Sequence, residues 1–193
     1  LLKNTGLKLE EIDVIAVAAG PGSFTGVRIG VAAAKGMSWG GQLPCYGVST
    51  LEAMAESLGV YEGLVCACMD ARRNQVYNAV FEKKDGVLIR LSEDRAISVE
   101  DLEKELKTIE NTKILVGDGA AVCYNTVSDN SGLLLPAEHL RMQRASGVAL
   151  AAQKILDAGE YPDAASVSPN YLRLSQAERE RLEKGLPLTA ETK

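Results

Sequence analysis

One histidine, His139, stands in 193 residues. No site that needs two histidines from this chain can therefore be built, HExxH zinc hydrolases included. A Ser-His-Asp arrangement would have to run through His139, and the preceding Pro136-Ala137-Glu138 offers it no prepared partner. The four cysteines, Cys45, Cys66, Cys68 and Cys123, contain no CxxC pair, which removes support for a zinc knuckle or a thioredoxin-type motif. Cys66 and Cys68 alternate within an apolar run, where small buried thiols sit. Basic excess is also missing: 21 Lys and Arg face 26 Asp and Glu, a net charge of −5, so nothing advertises a direct grip on nucleic acid. No apolar stretch approaches the ~20 residues of a membrane span, and no secretory signal is visible. The expectation is a reduced, cytoplasmic protein. The chain opens Leu1-Leu2-Lys3 without methionine, and Leu1 to Gly6 reads as the end of a helix stopped by glycine.

What is present is ordinary globular material, 46% hydrophobic and 24% charged. At ~150 residues per domain this length suggests one large domain or two small ones. Ile12 to Ala19 is a buried-strand pattern that ends in Gly20-Pro21-Gly22. A helix is expected from Ser23 to Trp39, stopped by Gly40-Gly41, then a strand over Cys45 to Val48 and a helix capped by Ser49 or Thr50. This alternation is the rhythm of an α/β layer. Adjacent strands follow, Leu64 to Met69, Val76 to Phe81 and, after Lys84-Asp85-Gly86, Val87 to Leu91, which suggests an antiparallel portion and a boundary near Gly59 to Gly63. Further helices are expected from a Ser98 cap to Ile109, over Ala121 to Val127, from a Ser146 cap to Ala158, and over Gln176 to Lys184. A strand at Lys113 to Val116 enters Gly117-Asp118-Gly119.

The sharpest segment is Gly20 to Gly30 (GPGSFTGVRIG). A glycine-rich turn at a helix N-terminus presents free amides and the positive dipole end, a usable anion site; the alternative is a tight connection in which Ser23 or Thr25 caps the helix. The segment matches neither a Walker loop nor a GxGxxG fingerprint. Glycine inside a helix costs ~1 kcal/mol relative to alanine, so Gly26, Gly30 and Gly36 need a reason. Gly22, Gly26, Gly30 and Ala34 are spaced by four, giving a nearly bald stripe on which another backbone can approach, with Val27, Val31 and Met37 as apolar flank. Packing on the chain's own sheet explains the same stripe. Asp70, Arg72 and Arg73 at a turn read either as an active-site cluster or as solvated tip charges. Asp118 reads as a helix cap or as a contact to a metal-bound nucleotide, the cap being favoured.

GPGSFTGVRIGVAAAKG (Gly20 to Gly36), VSTLEAMA (Val48 to Ala55), DARRNQVY (Asp70 to Tyr77), VGDGA (Val116 to Ala120) and PNYLR (Pro169 to Arg173) together resemble the bacterial TsaB family, also called YeaZ. The resemblance implies a two-lobed actin-like ATPase (ASKHA, RNase H-like) fold. Residues 1–60 would form the N-terminal lobe, lacking its initial strands. Residues 61–193 would form the C-terminal lobe, its last helix packing back on the first. The expectation attached to that open lobe is exposed sheet edges and altered oligomerisation.

It further implies a non-catalytic scaffold in the formation of threonylcarbamoyladenosine at position 37 of tRNA. The partners would be the homologous enzyme TsaD and the ATPase TsaE, with a homodimer when the chain is alone and with tRNA reached only through partners. The interface would be a helix bundle formed by Gly22, Phe24, Gly26, Val27, Gly30, Val31, Ala34 and Met37. No intrinsic cofactor is implied; ATP and a metal ion belong to partner subunits, and a single His139 cannot reproduce the histidine pair of TsaD. The alternative from another class is a nucleotide-binding enzyme of the actin-like superfamily; a glycoprotease-type metallopeptidase stands well behind it on the histidine count.

Overall fold

A computed structural model describes residues 2–59, 61–129, 132–174 and 176–186. Leu1 and position 60 of the expected boundary lie outside them. After a short helix α1 (Leu2–Thr5) and a 3-10 turn at Leu9–Glu11, strand β1 (Ile15–Gly20) leads into helix α2 (Phe24–Gly41), strand β2 (Cys45–Ser49) and helix α3 (Thr50–Glu56). β1 and β2 pair in parallel, as a strand–helix–strand unit requires. A second sheet follows from strands β3 (Gly63–Asp70), β4 (Gln75–Lys84), β5 (Val87–Arg90), β6 (Arg95–Ser98), β7 (Lys113–Val116) and β8 (Leu133–Leu134). Its order is β5-β4-β3-β7-β8, with β6 also on β4. β3, β4 and β5 are antiparallel neighbours, whereas β7 joins β3 in parallel.

The helices α4 (Val99–Lys107), α5 (Ala120–Thr126), α6 (Glu138–Arg141), α7 (Ala145–Asp157) and α8 (Gln176–Glu183) complete the described chain. One face of the second sheet packs Cys66, Cys68, Val76 and Val80 under Val99 and Leu102 of α4 and Cys123 of α5. All four cysteines are free and buried. Hydrogen bonding from Cys123 and Cys66, with burial, pushes the Cys68 thiol well up, so it stays protonated. The opposite face packs Val65, Ala67, Phe81 and Leu88 against Leu51 and Met54 of α3. α3 is buried on almost every side because α7 covers it from the other direction, and Gly147 of α7 permits the approach: a Cβ there would stand 1.9 Å from the Ala53 carbonyl oxygen. α7 also covers Tyr46 and Val48 of β2.

Several expected boundaries move. Glycines 40 and 41 do not stop α2; they lie inside it, and Gln42 ends it in the left-handed region with φ 54°. Ser38 makes that ending possible, since Leu43 N–H donates to its carbonyl and its hydroxyl donates to the Leu43 carbonyl. Ser146 is no cap, because α7 already begins at Ala145, behind Arg144. The first strand starts at Ile15 rather than Ile12, and α4 ends at Lys107 rather than Ile109. Ser49 and Ser98 do cap α3 and α4, accepting from Glu52 N–H and Asp101 N–H. Among the described residues β1 has β2 as its one strand partner, and an apolar groove of about 480 Å³ runs between β1 and α7, lined by Val14, Ala16, Ala18, Val148 and Ala152.

On α4, Glu103 accepts from Lys107 and from the hydroxyl and N–H of Ser128. Those donors, Lys107 first, pull its carboxyl down to about 2. A carboxyl lowered on folding stabilises above its unfolded value near 4.5 and loses that contribution as pH falls toward 2. A carbon-detected NMR titration should place the Glu103 midpoint near 2, and Ser128→Ala should move it upward; an unmoved midpoint would mean that the Ser128 hydroxyl contributes nothing.

Candidate functional site

Two surfaces carry chemistry: the outward side of α2, and a cleft where its N-terminus meets the second sheet. α2 is set by strand β1, by Ser23, whose hydroxyl accepts the Gly26 N–H at 3.4 Å, and by the segment near Val167 that runs beneath it. Val31 and Ala34, 3% and 6% exposed, pack inward with Ala19, Cys45 and Val167. Val27 packs against the same cluster, and a Cβ on Gly30 would lie 3.7 Å from Val17. The stripe described from spacing alone is therefore split. Gly26 and Met37 face out, Val31 and Ala34 face the chain's own core, and Gly22 sits beside Val27 at the cleft.

At 100° per residue the side opposite Val31 and Ser38 carries Ile29, Ala33, Gly36 and Gly40, flanked by Ala32, Met37 and Trp39. Ile29, Met37 and Trp39 are 65%, 57% and 84% exposed, and a Cβ on Gly36 or Gly40 would meet nothing within 4 Å. The helix has two charged residues, and both turn to their own chain. Arg28 Nε donates to the Tyr171 hydroxyl at 2.8 Å, and Lys35 Nζ donates to the Val167 carbonyl at 2.9 Å. An 18-residue helix thus presents an uncharged outer side with small residues at its centre.

The cleft, about 470 Å³, lies at the carboxyl ends of β1, β3 and β7. Gly20 has φ +122°, and a Cβ there would stand 2.5 Å from the Asn170 carbonyl oxygen, so glycine lets the chain cross β1. The strap over 170–174 spans both sheets. Asn170 N–H donates to the Ala19 carbonyl, Tyr171 stacks on Phe24 at 4.5 Å, and the Arg173 guanidinium donates to the Ala71 carbonyl. Arg28 also lies over the Phe24 ring, 4.2 Å from its centroid. The turn after β3 holds Arg72, Arg73 and Asn74 in succession in the left-handed region, and Asp70 steadies it by accepting the Arg72 N–H at 2.7 Å. Asp118 is not the cap of α5. Gly119 occupies that position, while Asp118 accepts the Asp70 N–H at 3.3 Å across the cleft. His139 is exposed on α6 and does not line the cleft. Among the described residues no three His, Cys, Asp or Glu side chains are grouped to hold a metal ion.

Phe24 thus belongs to the cleft mouth as much as to α2. Spacing points to none of Ile29, Gly36 and Trp39 on the outer side or Tyr171, Arg173 and Arg179 in the cleft, although Gly36 stands out as a helical glycine that needs a reason and Tyr171 and Arg173 lie in the PNYLR motif. A helical projection anchored on Val31 would have found the first three. The others arrive from more than 140 residues downstream of Phe24.

A family model described as TsaD, tRNA N6-adenosine threonylcarbamoyltransferase, matches residues 1–181. The tRNA threonylcarbamoyladenosine biosynthesis protein TsaB of Bacillus subtilis is 31% identical over 186 residues, spanning 95% of this chain and 79% of that protein. The protein of the same name from Escherichia coli is 31% identical over 176 residues, 90% of this chain and 76% of its own length. Among solved structures, YeaZ from Pseudomonas aeruginosa superposes with a TM-score of 0.74 at 26% identity, covering 89% of this chain and 80% of that one. With the mixed α/β architecture, these likenesses give an actin-like, ASKHA-type fold.

Proposed function

This chain belongs to the TsaB (YeaZ) family, and from that premise we propose that it serves the formation of N6-threonylcarbamoyladenosine at position 37 of tRNA as a non-catalytic scaffold, docking on TsaD through the outer side of α2. The carrying observation is the uncharged side of that helix, where exposed Ile29, Met37 and Trp39 surround Gly36 and Gly40. Glycine and alanine at its centre let a partner helix approach closer than the usual 8–10 Å, and the flanking apolar side chains bury against it. The same side serves a second copy when TsaD is absent. In this reading ATP, the metal ion and the grip on tRNA belong to TsaD and TsaE, in keeping with a net charge of −5 and one exposed histidine. The setting is the cytoplasm; no described helix is long and apolar enough to cross a membrane.

Gly36 is the position at which to test this. A leucine there has open space in the isolated chain, so the fold should tolerate it, while a partner helix should not. Gly36→Leu is expected to weaken TsaD binding at least tenfold, read by calorimetry or co-purification, with a thermal midpoint no lower than the parent's. Unaltered affinity would sink the interface. Reconstituted tRNA modification should then fall with the binding.

A further inference from the structure

We propose that Met37 is a modification site, a thioether whose oxidation by a hydroperoxide turns off the docking side of α2. The inference rests on the scaffold reading, since it names a chemical control of the side assigned to TsaD.

Four cysteines and four methionines carry the sulfur of the chain, and the fold treats them unequally. Thiolates are the ordinary first targets of peroxide, but Cys45, Cys66 and Cys68 are 0% exposed and Cys123 is 1% exposed. Met54 is 2% exposed inside the core, and Met69 and Met142 are half-buried. Met37 is 57% exposed and belongs to none of the core clusters. Its neighbours three and four residues away along α2 are Ala33, Ala34, Gly40 and Gly41, so no bulky side chain on the helix shades the sulfur.

The chemistry needs no group from the protein. The Met37 sulfur gives a lone pair to one oxygen of the hydroperoxide, the O–O bond breaks, and the second oxygen leaves as water or alcohol after proton transfer. Sulfur is oxidised by two electrons, and the peroxide is reduced by two. The sulfoxide places a strong hydrogen-bond acceptor on a side whose two charged residues, Arg28 and Lys35, are turned to Tyr171 and Val167. A partner helix closing over Gly36 and Gly40 would bury that oxygen among apolar side chains, and a polar group buried unpaired weakens association. Reductases for the two sulfoxide epimers restore the thioether at the expense of a dithiol, so the change is reversible.

Treatment of the full chain with hydrogen peroxide, followed by peptide mass mapping and calorimetry with TsaD, tests the proposal. Met37 should gain one oxygen before Met54, Met69 or Met142, and more slowly in the TsaD complex than in the free chain. The oxidised chain should bind TsaD about tenfold more weakly, with its far-ultraviolet circular dichroism unchanged. Both epimer-specific reductases with dithiothreitol should restore the affinity. Met37→Leu should bind as the parent does and keep its affinity through the same treatment. Earlier oxidation of another methionine, full conversion at Met37 without loss of affinity, or an equal loss in Met37→Leu would each overturn the proposal. Weakened binding by Gly36→Leu beside an unaltered oxidised parent would fail the switch alone. Unaltered binding by Gly36→Leu would fail the docking reading, and the switch with it.

Discussion

Replacing Glu56 with alanine is expected to lower stability by about 3–5 kcal/mol, a drop in thermal midpoint of roughly 6–20 °C for a chain of this length. Glu56 ends α3 with its side chain 7% exposed, and Lys83 of β4, 6% exposed, lies 3.7 Å from Oε2. Lys154 of α7 brings a second ammonium to 2.6 Å from Oε1, while its Nζ also donates to the Leu88 carbonyl. One carboxylate therefore faces two cations from two elements, one of them shut away from water. Without it, Lys83 must stay charged and unpaired inside the protein or give up its proton, and either outcome costs folding free energy. The pair itself need not be stabilising: the combined Glu56→Leu, Lys83→Met replacement should recover most of the loss, because apolar groups of similar volume carry no desolvation penalty. Urea unfolding of the parent, the single and the double variant measures both. A loss below about 1 kcal/mol in Glu56→Ala would show the pair to be solvated in practice.

This network links the elements that sequence spacing could place but not join. β3 and β7 were legible because both are buried on two faces and read as continuous apolar runs, and the Lys84-Asp85-Gly86 turn announced its hairpin. β6 was not legible. Arg95-Ala96-Ile97-Ser98 has one large apolar residue, and it is a strand because it pairs with Gln75 to Asn78. β8 is two residues long and exists only as the neighbour of β7. The start of α7 escaped for the same reason. A serine at position 146 has the chemistry of a cap, but the packing of α7 on α3 starts the helix earlier.

The candidate site follows that pattern. Four-residue spacing of small residues announced a close-packing side on α2, but spacing does not say which side faces the core. That is decided by Ala164 and Val167, which arrive 130 residues later and cover Val31 and Ala34. The uncharged outer side then follows from where Arg28 and Lys35 find their acceptors, Tyr171 and Val167. The turn from Asp70 to Asn74 was visible as a polar tip. Its role as a cleft wall depends on Arg173 and Arg179, which the strap and α8 deliver from the far end of the chain.

Two helical glycines should respond to alanine with opposite signs, and the larger effect belongs to Gly147. A Cβ there would stand 1.9 Å from the Ala53 carbonyl oxygen, 2.3 Å from the Ser57 hydroxyl oxygen and 2.9 Å from the Ala53 carbonyl carbon. Two of these atoms are backbone of α3, and α3 cannot retreat, since Leu51 and Met54 are wedged on its other side against Val65 and Phe81. The methyl group must drive α7 off α3, opening Tyr46, Val48, Ala151 and Ala152 to water together. Gly147→Ala should therefore cost about 3 kcal/mol or more, despite the ~1 kcal/mol that alanine ordinarily gains over glycine in a helix. Trimming Ser57 to glycine in the same chain should recover little, because the nearest clash is with a carbonyl that no side-chain change removes. Gly36→Ala, with nothing within 4 Å of its Cβ, should instead stabilise the isolated chain by about 0.5–1 kcal/mol. Urea midpoints for both variants decide the matter: a neutral Gly147→Ala would mean that α3 and α7 are not held at the separation described.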